Sequence, residues 1–346
     1  MNVTINDIAR VTGLSTATIS KYLNHKSIRE ENRVLIEQAI QELGYTPNRS
    51  AQLLRSKNTR TIGILISDLG NYFWGTVINS IIHYFAARDY TVITCSFFFD
   101  HDYELTTIQD IISQHFDGVI MLPNNSQDNL YHLLQDAGIP VILLDQIPSC
   151  VKQYPVDCII SDNYKGGAQL ATHLLEHGHT NIRILESYTN SYTIDERIRG
   201  FMDVYKQNGY DLSEQMKDCP PIRFCDTDIT IAASREHFLQ IMNSPNPPTA
   251  IFFVCYISAM GGLSAASSMR LSVPDELSLI CFDDDPLFKT MSAAMTCVSQ
   301  DLKSIGLHAS KLLLKRIRGD YTDFPKIDML DVNFHPRRSV KNLNCP

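Results

Sequence analysis

VTINDIARVTGLSTATISKYLN, residues 3–24, is the stretch whose reading decides the fold of the amino-terminal part. Thr4 followed by Asp7 is a capping-box pair, and Ile5, Ile8 and Ala9 give the helix behind it an inward face. Gly13 breaks the period where a sharp turn needs a residue tolerant of positive φ. Ser15 suits the N-cap of a second helix, Thr16 to about Leu23, in which Ile19 and Leu23 share a face. Ala9, Gly13 and Ile19 therefore stand at helix-turn-helix spacing. A small residue lets two helices approach, a glycine turns the chain, and a branched residue fills the space between them.

Working outward, a third helix is predicted from about Glu30 to Leu43, with Ile36, Ala39, Ile40 and Leu43 as its stripe and Gly44 closing it. The second helix turns Thr16, Ala17, Lys21 and Asn24 outward. Short side chains near its start allow close approach to base edges, and Lys21 can reach guanine acceptors or a phosphate. A small helical bundle with a solvated polar face is the alternative. Charge separates the two. The chain of 346 residues carries a net charge of −8, yet residues 1–60 hold nine Lys/Arg and five Asp/Glu. The excess of negative charge lies entirely in the rest. A basic head on an acidic body predicts that only the head meets a polyanion.

Beyond residue 60, short apolar strands alternate with helical segments. Thr61–Ile66, Tyr90–Thr94, Gly118–Met121, Pro140–Leu144, Asn181–Leu185, Ala250–Val254 and Leu277–Cys281 are the predicted strands. Apolar runs separated by helices of 10–15 residues predict parallel sheets with right-handed crossovers, and two successive sets predict two lobes. No apolar run reaches the roughly 18 residues of a membrane span. The first residues lack the pattern of a secretory signal, so a cytoplasmic protein is expected. The nine cysteines have no C-x-x-C spacing, which fits a reducing compartment and argues against zinc.

Motifs of catalysis are missing from the sequence: there is no G-x-G-x-x-G after the first strand, no phosphate-binding G-x-x-x-x-G-K-[ST], no G-x-S-x-G and no H-E-x-x-H. Phe282-Asp283-Asp284-Asp285-Pro286 is acidic enough for a metal, but consecutive carboxylates at a strand end more often cap the next helix or point apart. No enzyme, metal or cofactor is expected.

The quoted stretch, with ELGYTPNRSAQLLRSKNTRTIGIL (residues 42–65) behind it, resembles the lactose-repressor/galactose-repressor (LacI/GalR) family, and the likeness runs to about residue 325. It implies a small all-α helix-turn-helix DNA-binding domain joined to an α/β, two-lobed, periplasmic-binding-protein-like domain with parallel sheets. The implied boundaries are 1–46 for the head and 47–60 for a hinge helix and linker. The first lobe takes 61–160 plus about 293–320, the second 161–292 plus about 321–346.

Carried over by position, the DNA-contacting set is Thr4, Ser15, Thr16, Ala17, Lys21, Asn24, Tyr45, Asn48, Arg49, Ala51, Leu54 and Arg55. Leu54 is the minor-groove wedge of a hinge that folds when two subunits meet over an operator. The effector set is Phe73, Trp74, Asp145, Arg197, Phe224, Tyr256, Asp283 and Gln300. The implied partners are a near-palindromic DNA operator, a second copy of the chain, and a small effector of sugar type.

The chain departs from the family pattern in places. Lys21 and Arg29 replace the usual arginine and helix-capping residue. Cys255-Tyr256 replace an Asn-Asp pair, and Gln146 follows Asp145 in place of an arginine. These losses predict an effector larger or more apolar than a hexose, or weak affinity. Two rivals remain: a regulator controlled by a protein partner or corepressor, and a solute-binding protein with no DNA role.

Overall fold

Caps and periodicity fix the first three helices in the computed structural model, which describes residues 3–23, 27–45, 59–67, 69, 72–98, 100–123, 129–185, 191–212 and 231–344. Helix α1 spans Ile5–Thr12, α2 Thr16–Leu23 and α3 Glu30–Leu43. Gly13, at φ 68°, lies in the left-handed region and returns its N–H to the Ala9 carbonyl, which ends α1 and turns the chain into α2. Ile8, Ile19, Ile36 and Ala39 are buried together, with Ala9, Leu23, Ile40 and Leu43 packed around them. One apolar residue from each helix meets the others in a single small core. Tyr45 joins it at 8% exposure.

The chain divides into two compact units, residues 1–59 and 60–346, and the second contains two sheets. Strands β1 (Thr61–Ile66), β2 (Thr91–Ser96), β3 (Gly118–Met121), β4 (Val141–Leu144) and β5 (Asp157–Ser161) belong to the first. With β10 (Ile327–Leu330) they form a six-stranded parallel sheet in the order β10-β5-β4-β3-β1-β2. Helices α4 (Tyr72–Ala86), α5 (His101–Ser113), α6 (Tyr131–Asp136) and α11 (Leu302–Ile317) pack on it. The second sheet holds β6 (Ile182–Leu185), β7 (Ala250–Phe253), β8 (Ser278–Phe282), β9 (Thr296–Gln300) and β11 (Val332–His335), ordered β11-β9-β8-β7-β6. Its faces carry α7 (Asn163–Glu176), α8 (Tyr192–Gln207), α9 (Ile231–Met242) and α10 (Tyr256–Met269).

The chain thus crosses between lobes three times, and two crossings differ from the expectation. β9 pairs with β8, so residues 296–300 belong to the second lobe and the return falls near residue 301, not 293. β10 pairs with β5, so the last crossing falls near residue 331, not 321. Both strands are short and partly polar, and lack the apolar run that marks their neighbours. β11 is also antiparallel to β9, an exception to the expected parallel order. No helix among the described residues is long and apolar enough to cross a membrane.

Candidate functional site

In the head, the start of α2 is the exposed polar surface. Thr16, Ala17 and Lys21 are solvent-exposed while Ile19, on the opposite face, is fully buried. Ser15 and Thr4 are engaged in local capping. Ser15 Oγ accepts the Thr18 N–H at 3.2 Å, and the Thr4 hydroxyl and N–H donate to Asp7 Oδ2 at 2.7 and 3.0 Å. Those bonds hold the Asp7 carboxyl below the usual carboxylate range. Tyr45, expected among the DNA contacts, is a core residue of the head, and burial raises its hydroxyl pKa. An aromatic ring immediately after a helix C-cap is drawn inward by the apolar area it covers. Asn24, Asn48, Arg49, Ala51, Leu54 and Arg55 lie outside the described residues.

In the second unit, both lobes line one cleft with a cavity volume of about 150 Å³. Phe73, Trp74, Asp145, Arg197, Tyr256, Asp283 and Gln300 all line it, although they come from six separate segments of the chain. Phe224 lies outside the described residues. The positions are those a doubly wound sheet offers to ligands, at the carboxyl ends of strands. Asp145 follows β4 and Asp283 follows β8, and both have left-handed backbones, at φ 57° and 91°. Non-glycine residues persist there only when their surroundings hold them, which is common at binding sites.

Arg197 organises the polar wall. It is 3% exposed, and its Nε donates to Asn163 Oδ1 at 2.8 Å and its Nη1 to the Val254 carbonyl at 2.9 Å. The guanidinium lies 3.9 Å from the centre of the Phe282 ring and 3.7 Å from Asp283 Oδ2. Its placement follows from glycines. A β-carbon at Gly167 would run into the Arg197 carbonyl, and one at Gly200 into the Tyr164 carbonyl, so only glycine lets α7 and α8 close on each other here.

Asp283 Oδ1 accepts from Gln300 Nε2 at 2.8 Å, and Gln300 Oε1 in turn accepts from the Ser161 hydroxyl at 2.7 Å. Asp284 and Asp285 point elsewhere. Asp284 is clamped by Arg337 at 2.6 and 2.8 Å and by Lys289 at 3.3 Å, while Asp285 caps the next turn through Leu287 N. The three consecutive carboxylates have three separate jobs.

Asp145 is different. Its Oδ1 is buried without a hydrogen-bond partner among the described residues. Burial pushes its carboxyl up to about 7, with Arg197 opposing the shift and Asp283 adding to it. Burial likewise raises Asp283, which Arg197 and Gln300 pull back.

The aromatic wall comes from α4. Trp74 is 8% exposed and mostly packs the first lobe's core, with its remaining surface in the cleft beside Phe73, whose ring meets it edge-on at 4.5 Å. Gln146, Asn163, Ser191 and Thr193 also act here and were absent from the expected set. Gln146 Nε2 donates to Ser191 Oγ at 2.9 Å and its Oε1 accepts the Tyr192 N–H at 3.0 Å. This buried side chain, at the end of β4, ties the first lobe to the start of α8 in the second. Its only sequence signal was its place after a strand-end aspartate.

Residues 4–48 match the family model described as "Bacterial regulatory proteins, lacI family", and residues 171–340 the "Periplasmic binding protein-like domain". The chain is 28% identical over 347 residues to the HTH-type transcriptional repressor PurR of Vibrio vulnificus, covering 99% of both proteins. It is also 28% identical over 343 residues to PurR of Vibrio atlanticus, with the same coverage. Among solved structures, it resembles the lac repressor dimer bound to operator and the anti-inducer ONPF, with TM-score 0.82, 23% identity and coverage of 99% and 100%. The transcriptional regulator CelR in complex with cellobiose gives TM-score 0.72, 22% identity and coverage of 98% and 100%. These structures establish the shared fold, and the family models and the full-length relatives establish the kind of protein. The chain belongs to the lacI family of bacterial regulatory proteins and is a DNA-binding transcriptional regulator.

Proposed function

We propose that the chain is a dimeric repressor of metabolic, carbohydrate-type genes whose operator affinity is set by a small effector bound between the lobes. The carrying observation is the convergence of seven expected effector residues, from both lobes, on one cleft. In the head, Thr16, Ala17 and Lys21 read base edges of a near-palindromic operator from the exposed start of α2. Asn24, Asn48, Arg49, Ala51 and Arg55 add backbone contacts, and Leu54 wedges into the minor groove at the centre.

In the cleft, Phe73 and Trp74 stack on a ligand ring while Asp283, Arg197 and Gln300 fix its orientation. Tyr256 flanks them, and Phe224 adds lining from its own segment. The lobe-bridging Gln146 gives the lobes a preferred angle that a ligand alters, which biases the DNA-competent state. The chain acts in the cytoplasm by binding, without catalysis.

Solved relatives with bound cellobiose and ribose support a carbohydrate-type effector. The cavity volume supports one ring. An apolar cavity of roughly 150 Å³ holds benzene.

The test is a gel shift of the chain's own promoter region with and without metabolite fractions. A specific shift that one fraction strengthens or weakens is expected. A shift that responds to no fraction would remove the effector from the account.

A further inference from the structure

The charges of the cleft do not balance, and the imbalance points to the effector's chemistry. Among the described lining residues are four carboxylates, Asp145, Asp283, Asp284 and Asp285, and one cation, Arg197. Asp284 is matched by Arg337 and Lys289 outside the lining, and Asp285 is spent on a helix cap. Arg197 is left between Asp145 and Asp283, and it is already held by Asn163, the Val254 carbonyl and the Phe282 ring. One positive charge thus serves two carboxylates.

Asp283 has Gln300 and the Tyr256 N–H as further donors. Asp145, facing the cleft from the opposite lobe, has a buried oxygen with no donor among the described residues. An ionised oxygen in that position costs free energy until a donor or a cation reaches it. The same cleft is lined by Tyr72, Phe73, Trp74 and Tyr256, and aromatic ring faces favour a cation.

We propose that the effector carries a protonated amine on a single hydroxylated ring, an amino sugar in chemical class, with its ammonium seated against Asp145. The proposal rests on the reading of the cleft as the effector site. A hydroxyl in the same place would give Asp145 a hydrogen bond but leave the charge surplus. An ammonium supplies both, with up to three N–H donors to share between Asp145 and the ring hydroxyls' neighbours. Seating it favours the ionised carboxylate over the protonated form that burial promotes. The charged groups facing Asp145 are Arg197, which opposes the rise of its carboxyl, and Asp283, which adds to it.

Trp74 is the only tryptophan of the chain and lines the cleft, so its fluorescence reports occupancy. The full-length protein is titrated with 2-amino-2-deoxy and 6-amino-6-deoxy forms of glucose and galactose, and with the parent sugars. At least one amino sugar is expected to bind about tenfold or more tightly than its parent. Its advantage should grow from pH 6 to 8 for the 6-amino forms, whose amine stays protonated. Asp145→Asn, checked for folding by circular dichroism, should bind the amino sugar and its parent alike.

Parent sugars that bind as tightly as their amino forms would overturn the proposal while leaving the cleft as effector site. An amino-sugar preference that survives in Asp145→Asn would also overturn it. No response to any amino sugar at about 10 mM would do the same, and promoter binding would then test the regulator reading on its own.

Discussion

The two walls of the cleft are built from different chemistry. The first lobe supplies Tyr72, Phe73, Trp74, Leu122 and Pro123, a surface of rings and aliphatic carbon, with Ser67, Asp145 and Gln146 as its polar residues. The second supplies Ser191, Thr193, Arg197, Asp283 and Gln300, nearly all of them hydrogen-bonded to one another or to their surroundings. An apolar wall attracts any ring in proportion to the area covered, whereas a preformed polar wall accepts only a ligand that satisfies its groups. The rings of the first lobe therefore supply affinity, and the second lobe together with Asp145 supplies selectivity.

The largest break in this division should come from Arg197→Ala. It leaves the Asn163 amide oxygen, the Val254 carbonyl and Asp283 without their shared donor. Truncating one partner of a buried charged group costs on the order of 3–5 kcal/mol. Urea denaturation should show that loss, and Trp74 fluorescence should no longer respond to any ligand. A fully stable variant that still binds would contradict the role given to the polar wall.

Next is Gln146→Ala, which removes both of this side chain's bonds to the second lobe, leaves the Ser191 hydroxyl with Thr193 alone and leaves the Tyr192 N–H to find water. A cost of about 1–3 kcal/mol is expected for such a buried pair. Hydrogen exchange at the Tyr192 amide should quicken by at least about tenfold. Unchanged exchange would mean the lobes are held elsewhere.

A smaller effect separates Asp145 from its neighbours by pH. Its folded carboxyl sits at about 7, above its unfolded value, so the folded state holds a proton that the unfolded state has lost. Stability therefore declines as pH rises from the ordinary carboxylate range to about 7. Asp145→Asn lacks that slope. Its melting temperature should exceed the parent's by a few degrees at about pH 8, with the gap closing toward about pH 4. A gap independent of pH would reject the raised carboxyl.

The smallest effect belongs to the apolar wall. Phe73→Leu keeps most of the covered area and should weaken ligand binding by about threefold to tenfold without altering the order of preference among ligands. Competition titrations would detect a changed order, which would move selectivity into the aromatic wall.

Legibility in the sequence followed the range of the interactions. The head was readable because its signals are local. Thr4, Gly13, Ser15 and Gly44 punctuate three helices whose ends in the structure are those their caps predict. Tyr45 was the exception, since burial of a ring depends on what the other helices leave uncovered. In the body, seven apolar strands were readable, while β5, β9, β10 and β11, with the sequences DCIIS, TCVSQ, IDML and VNFH, carry polar residues and were not among the predicted strands. Two crossings were misplaced as a result.

The aspartates at strand ends were reached through the family resemblance. Their division of labour was not, because Asp284 finds Arg337 53 residues away and Arg197 finds Asn163 34 residues away. Gln146 with Ser191, 45 residues apart, was hidden for the same reason.

The central claim is that this head reads DNA by sequence, and selection from a random duplex pool tests it most directly. The purified full-length chain should enrich a near-palindromic site, with affinity that falls steeply with salt, and Lys21→Ala should lower the salt slope by about 1. A pool that emerges without a common sequence, or one enriched equally by Lys21→Ala at unchanged slope, would contradict it.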